Sequence, residues 1–328
     1  MTDRPVAPTP TATLAAPPPA ALSIAVLVPC HDEALTVATV VDAFRRALPG
    51  AIVYVYDNRS TDGTAAAAEA AGAVVRRENW PGKGNVVRRM FADIDADVYL
   101  LVDGDGTYDA SVAPAMIAAL VDEQLDMVVA KRRGVYDEAH RRGHGLGNRV
   151  FNRFYRAIFG PEFRDIFSGY RAFSRRFVKS FPAISSGFEI ETEMSVHASQ
   201  LRLPVAEIEA DYDARPEGSS SKLSTVRDAI RIFGMMALLY KEIRPARFFG
   251  LVAAALVGVA VVLGVPLVET WLETGLVPRF PTAILATGLM VLAGIALTCG
   301  LILDSVARGR LEQKRFAYLA QGGDRAAR

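Results

Sequence analysis

Through the first two thirds of the chain, short apolar runs that stop at acidic or glycine-rich turns alternate with stretches whose apolar residues recur at helical spacing. The runs predict strands at Ser23 to Val28, closed by Pro29, at Ile52 to Tyr56, in GAVVRREN, at Tyr99 to Val102 and in LDMVVAKRR. Between them lie a helix to about Leu48, an Ala-rich helix after Gly63, another after Lys83, and one from Ala110 to about Glu123. Further on come a short strand after the Ser168–Gly169 turn, a helix in GFEIETEMSVHASQ and a strand in LPVAEIEADY. Strands alternating with helices in this way predict an α/β fold, a doubly wound and mostly parallel sheet flanked by helices. Ligands of such sheets bind where the strands end.

The pattern then changes. From Phe248 to Val268 and from Phe280 to Leu303 no charged residue interrupts the chain, and about 20 apolar residues suffice to cross a bilayer as a helix. Two transmembrane helices are expected. KEIRPAR precedes the first and RGRLEQKR follows the second, whereas the connection from Glu269 to Arg279 carries two acids and one Arg. The positive-inside rule places the N-terminal body and both termini in the cytoplasm. The expected organisation is a disordered Pro/Ala-rich tail over residues 1–22, a catalytic domain over 23–222, an interfacial juxtamembrane helix over 223–245, the two spans within 246–304 and a basic tail over 305–328.

Charge and cysteine content narrow the class further. Lys and Arg number 37 against 36 Asp and Glu, so no general attraction to nucleic acid is indicated. The two cysteines, Cys30 and Cys299, fall in the sheet and in the second span and read as unpaired buried residues. Local clustering is more informative. From Lys131 to Arg156 there are eight Lys or Arg against two acids, and Phe151, Phe154, Tyr155, Ile158 and Phe159 share one helical face. That pattern fits either a membrane-surface helix or a core-facing helix with a solvated basic side.

The candidate chemistry lies at the ends of the strands. In VDGDGT, Asp103 and Asp105 sit one residue apart, each followed by a glycine, which suits either a hard divalent cation shared with a diphosphate or an ordinary Asp/Gly turn. His31, Asp32 and Glu33 follow the first strand, and Asp57, Asn58, Ser60 and Asp62 the second, as nucleotide ligands or as turn and cap residues. Lys83 is flanked by glycines at a helix start, without the Walker pattern, and no G-x-G-x-x-G follows the first strand. Arg215, Ser219, Ser220, Ser221 and Lys222 form either a phosphate-donating loop or a flexible linker. His197 reads as packed rather than ligating, and Asp165 has no assigned place unless it braces the arginines.

The order of VPCHDEA, DNRSTDGT, GKGN, VDGDGT, FSGYRAF, GFEIETE and RPEGSSSKLS, followed by a two-helix hairpin, resembles the family 2 glycosyltransferases, and within them the polyprenyl-phosphate branch that includes dolichyl-phosphate mannose and glucose synthases. The resemblance covers about residues 22–245 and implies a GT-A fold with a C-terminal transmembrane hairpin. It implies that Pro29 and Glu33 line the nucleotide pocket, that Asp57 holds base or ribose, and that Lys83 lies close by. Asp103 and Asp105 would bind Mg²⁺ or Mn²⁺ and the donor diphosphate. Thr107 stands where many relatives carry a Gln, leaving the third protein ligand open. Arg132 and Arg142 match positions that receive the acceptor phosphate, and Arg215, Ser221 and Lys222 match a loop closing over the diphosphate.

The implied reaction moves a hexose from an NDP-sugar to polyprenyl phosphate with inversion at C1, at the cytosolic membrane face. Its partners are the donor, the lipid phosphate and the bilayer, with a homo-oligomer left open. A processive polysaccharide synthase would carry Q-x-x-R-W, whereas Gln200 begins QLRLP. A silent scaffold binding nucleotide-sugar or lipid phosphate is the alternative outside enzymes, and the intact acid pair argues against it.

Overall fold

In a computed structural model of the chain, residues 22–133, 163–187, 189–212, 234, 238 and 240–322 are described. Arg142, Arg215, Ser221, Lys222, the basic aromatic segment at 151–159 and most of the proposed interfacial helix lie outside them.

The first part of the chain runs β1 (Ile24–Cys30), α1 (Val37–Ala47), β2 (Ile52–Asp57), α2 (Thr64–Ala70), β3 (Val74–Arg77), α3 (Lys83–Asp93), β4 (Val98–Leu101), α4 (Ala113–Asp122) and β5 (Met127–Arg133). It continues with β6 (Arg171–Ser174), α5 (Arg175–Ser180), α6 (Ile190–Leu201), β7 (Val205–Asp211), α7 (Pro245–Thr274) and α8 (Phe280–Leu319). The expected helix from Ala110 opens with a 3₁₀ turn, Ala110–Val112, capped by Asp109, whose carboxylate accepts from Ser111 N–H at 2.8 Å. β1 runs two residues past its expected end. Pro29 is tolerated because β4 pairs with β1 only as far as Leu27, so no ladder donor is needed from Pro29 on that side.

Among the described residues the strands form one sheet in the order β3-β2-β1-β4-β6-β5-β7. Alternation along each strand divides the core in two. Val26, Val28, Leu100, Val128 and Ala130 meet α1 and α4 through Val41, Phe44, Met116 and Leu120. Leu27, Tyr99, Leu101, Met127 and Val129 face α3, α5 and α6 through Val87, Met90, Phe91, Phe177 and Met194. This is a GT-A-like fold: a mostly parallel sheet with helices on both faces.

Two features of the topology build a site. The chain leaves β1 toward β2 and β3, then returns to place β4 on the other side of β1, which opens a crevice at the C-terminal ends of β1 and β4. β6 is antiparallel to both of its neighbours, β4 and β5, so the turn that leads into it arrives at the edge where β4 and β5 end. Residues 165–170 therefore reach the crevice from the opposite chain direction.

The last two helices, α7 and α8, are each long and apolar enough to cross a membrane, and they pack on one another. Large residues such as Leu251, Val262 and Leu301 stay exposed along them, which suits a lipid surround and a membrane anchor. Of the segment expected as a basic tail, residues 305–319 continue α8 as helix. Sixteen residues beyond Leu303 carry the helix about 24 Å further, where its end docks on α5 and α6. Lys314 donates to Gln200 Oε1 at 3.0 Å and Arg175 to Gln321 Oε1 at 3.3 Å.

Candidate active site

Four loops at the strand ends are zipped together by side chains that bond to neighbouring backbone. Asp32 N–H donates to Ser60 Oγ at 2.9 Å, Glu33 N–H to Thr64 Oγ1 at 2.9 Å and Ala34 N–H to Asp62 Oδ2 at 3.0 Å, joining the HDE loop to the loop after β2. Asn58 reaches the loop after β3, donating to Glu78 O and Trp80 O and accepting from Gly82 N–H at 2.7 Å. Thr36 Oγ1 donates to Gly104 O at 2.7 Å and ties the approach to α1 to the DGDGT turn. Gly104 has to be glycine, since a Cβ there would run into Cys30 Sγ.

Cys30 marks the centre of this crown. Burial first, and then the negative fields of Glu33, Asp103, Asp57 and Asp105, push its thiol well above the ordinary range. Four of the sequence-selected acids therefore lie near enough to act on one thiol, and Pro29 precedes it on β1. Asp57 Oδ1 accepts from Ser60 N–H at 3.1 Å. Thr107 both donates its hydroxyl to Asp105 Oδ1 at 2.6 Å and directs its N–H there, so in this geometry it orients Asp105.

Lys83 is drawn into the same site, paired with Asp103 and with Glu191 at the start of α6. Burial works against its charge, but the two carboxylates outweigh it and raise the lysine pKa far above normal. Glu191, buried beside it, is shifted upward by desolvation against the pull of Lys83. In the sequence Glu191 is one of three acids on the helix in GFEIETEMSVHASQ, with nothing to set it apart. Glu193 of the same GFEIETE motif accepts from Ile184 N–H at 3.0 Å and Ser185 N–H at 2.8 Å.

The turn before β6 completes the crevice. A Cβ at Gly169 would collide with Asp103 Oδ2 and come within 3.0 Å of Lys83 Nζ, so only glycine lets the turn lie against that carboxylate. Gly169 N–H donates to Tyr108 Oη at 2.9 Å, and the buried guanidinium of Arg171 donates to Ser168 O at 2.8 Å, Ile166 O at 2.7 Å and Ser195 Oγ at 2.8 Å. Asp165 gains a defined place. Its two oxygens accept from Nε and Nη2 of Arg132 at 2.8 and 2.9 Å, and Arg132 lies over the Tyr212 ring at 5.4 Å. Burial alone would raise the Asp165 pKa, but the Arg132 bonds hold it low. Tyr108 stands between the halves: burial raises its pKa, Asp103 adds to that and Arg132 opposes it.

The donor set can be tested for a hard cation. Among the described residues no group of three His, Cys, Asp or Glu side chains is arranged to hold a metal by itself. Asp103 and Asp105 supply two carboxylates, a cationic ammonium already rests on Asp103, and Mg²⁺-type ions use one or two carboxylates and fill the rest from phosphates and water. The residues fit a cation that arrives with a diphosphate.

A switch-point crevice with an acid pair, on a GT-A-like sheet, defines the class: a glycosyltransferase that uses a nucleotide-sugar. The chain belongs to glycosyl transferase family 2, whose family model matches residues 25–181. It is similar to Glycosyltransferase AglJ of Haloferax volcanii, 39% identical over 235 residues, which are 71% of this chain and 77% of AglJ. Protein RfbJ of Shigella flexneri is 54% identical over 123 residues, 37% of this chain and 95% of RfbJ. Among solved structures, glucosyl-3-phosphoglycerate synthase from Mycobacterium tuberculosis, in complex with Mn²⁺, UDP-glucose and phosphoglyceric acid, superposes with a TM-score of 0.53 at 23% identity, covering 65% of this chain and 79% of that one. At that identity the likeness concerns the fold.

Proposed function

We propose that the enzyme transfers a hexose from an NDP-sugar to a polyprenyl phosphate, undecaprenyl or dolichyl, at the cytosolic surface of a membrane, with inversion at C1. The observation that supports this reading is that the domain holding the donor crevice is docked on the end of the second apolar helix, where Tyr318 reaches Asp126 at the start of β5. An acceptor whose chain lies in the bilayer and whose phosphate lies at its surface suits a crevice in a domain anchored to that bilayer. The catalytic domain leads into α7 and receives the end of α8, so both helix ends on the domain side share one membrane face, and the basic flanks favour the cytoplasmic face.

On this reading Pro29, Glu33 and Asp57 line the nucleotide side, and Asp103 and Asp105 would hold Mg²⁺ or Mn²⁺. The Mn²⁺ in the mycobacterial structure supports a divalent ion without choosing between the two. When bound, the cation would stabilise the charge that builds on the diphosphate leaving group. Lys83 adds a buried positive charge on the same side. On the acceptor side, Arg132 would present its guanidinium to the lipid phosphate while Asp165 fixes its plane, with Arg142 assisting and Arg215, Ser221 and Lys222 closing over the diphosphate. A phosphate monoester is largely ionised at neutral pH, so the nucleophile needs orientation more than a base. Attack opposite the leaving group inverts C1.

The test is a panel of labelled NDP-sugars against one polyprenyl phosphate with the detergent-purified enzyme. Transfer is expected with one donor, only with a divalent cation, and with none in Asp105→Ala. Transfer that survives chelation overturns the metal role; transfer to a soluble acceptor but never to the lipid phosphate overturns the acceptor.

A further inference from the structure

Lys83 opens α3 beneath residues 185–186, whose carbonyls lie so close to the helix start that Gly82 and Gly84 have no room for a side chain. Glu193 fixes the backbone of that segment at Ser185. Two residues earlier on α6, Glu191 meets the Lys83 ammonium, which also rests on Oδ1 of Asp103. The Lys83 and Glu191 side chains are 9% and 5% exposed, so the contact is shielded from salt and water. The metal role given to Asp103 and Asp105 makes no use of Glu191 or of this contact.

We propose that Lys83 is a resident counter-cation, shared between Glu191 and the acid Asp103, that weakens divalent-metal binding to the free enzyme and makes the metal enter together with the nucleotide diphosphate. This rests on the reading of Asp103 and Asp105 as metal ligands. An ammonium and a divalent cation on one carboxylate repel each other strongly in a partly dry site. An arriving diphosphate brings further oxygens for both cations and removes that conflict. Glu191 acts here as a positioning residue: it keeps the ammonium within the crevice when the metal takes Asp103. Gly169 keeps Oδ2 of Asp103 approachable while Lys83 holds Oδ1.

Mn²⁺ binding to the full chain in detergent, followed by the loss of the free-ion electron paramagnetic resonance signal with and without UDP or GDP, tests this without a turnover assay. The wild type is expected to bind Mn²⁺ weakly alone and about tenfold or more tightly with the matching nucleotide. Lys83→Met/Glu191→Gln removes one positive and one negative charge, so net charge is unchanged; its Mn²⁺ affinity without nucleotide is expected to rise about tenfold, and the nucleotide effect to shrink. The nearly isosteric Glu191→Gln alone leaves the ammonium wholly on Asp103 and is expected to weaken Mn²⁺ binding. Equal affinities for the wild type and the double variant overturn the proposal, as does tighter or unchanged binding in Glu191→Gln should the double variant not fold. Absence of Mn²⁺ binding in every protein, with either nucleotide, overturns the metal reading itself and this one with it.

Discussion

The phenol of Tyr318, on the last turn of α8, donates a 2.8 Å hydrogen bond to Oδ2 of Asp126, at the start of β5 and 192 residues away. Oδ1 of Asp126 accepts from Ser174 Oγ at 2.6 Å and Arg176 Nε at 2.5 Å, and the Arg176 guanidinium lies 5.4 Å from the Tyr318 ring centre. Asp126 is fully buried, so these donors replace the water it loses. The sheet is thus tied to the far end of the apolar two-helix hairpin. Tyr318→Phe removes one bond to a charged group and is expected to cost about 1.5–3 kcal/mol of docking. Hydrogen exchange in micelles should then quicken across residues 304–319 and at α5; identical exchange in the two proteins would contradict the tie.

Gly169→Ala tests the close approach to Asp103. The methyl has to displace the carboxylate or Lys83, and a shift of about 1 Å at such a site costs about 100-fold in rate. A circular dichroism spectrum like that of the wild type, with transfer reduced about 100-fold, is the expected outcome. Wild-type transfer would show that the turn has more freedom than this contact implies.

The pair Arg132–Asp165 is nearly dry, with side chains 16% and 4% exposed. Asp165→Ala leaves the guanidinium without its partner and is expected to destabilise the domain by about 3–5 kcal/mol. Asp165→Ala/Arg132→Met, which removes both charges, should recover much of that loss. Additive losses in a thermal melt would show that the two residues contribute separately.

His197 gives the stability a pH dependence. It is buried against Phe177 and Phe181, with Nε2 3.4 Å from Ser180 Oγ, and burial, helped by Lys314, lowers its pKa to about 3. The unfolded chain protonates this group near pH 6.5 and the folded chain does not. The contribution is therefore intact above about pH 6.5 and is lost as the pH falls toward 3, amounting to about 2 kcal/mol by pH 5. His197→Leu should flatten that part of the melting-temperature profile; an unchanged slope between pH 7 and 5 would assign it elsewhere.

The residues of the donor side were legible because each sits at the end of an apolar run, and a run that ends in acids reports both the strand and its functional edge. Asp103, Asp105, Glu33 and Asp57 all act on the Cys30 thiol for that reason. Asp165 and Glu191 were not assigned, since their partners, Arg132 and Lys83, are 33 and 108 positions away, as the numbering counts, and nothing local distinguishes a buried carboxylate from a helix-capping or solvated one. Helix α5, six residues long and rich in charge, carries too few apolar positions to show a period.

By itself the sequence determined the alternation of strands and helices, the acid pair at a strand end and the two apolar spans, because these depend on hydrophobic period and run length, which are local. Only the tertiary structure decided that β6 runs against its neighbours and so delivers Gly169 to Asp103, that Lys83 lies between two carboxylates, and that the second long helix returns to the sheet through Tyr318. Each of those depends on which distant surfaces are brought into contact, and burying a charge or fitting a glycine against a carboxylate has no signature in the chain until the partner is beside it.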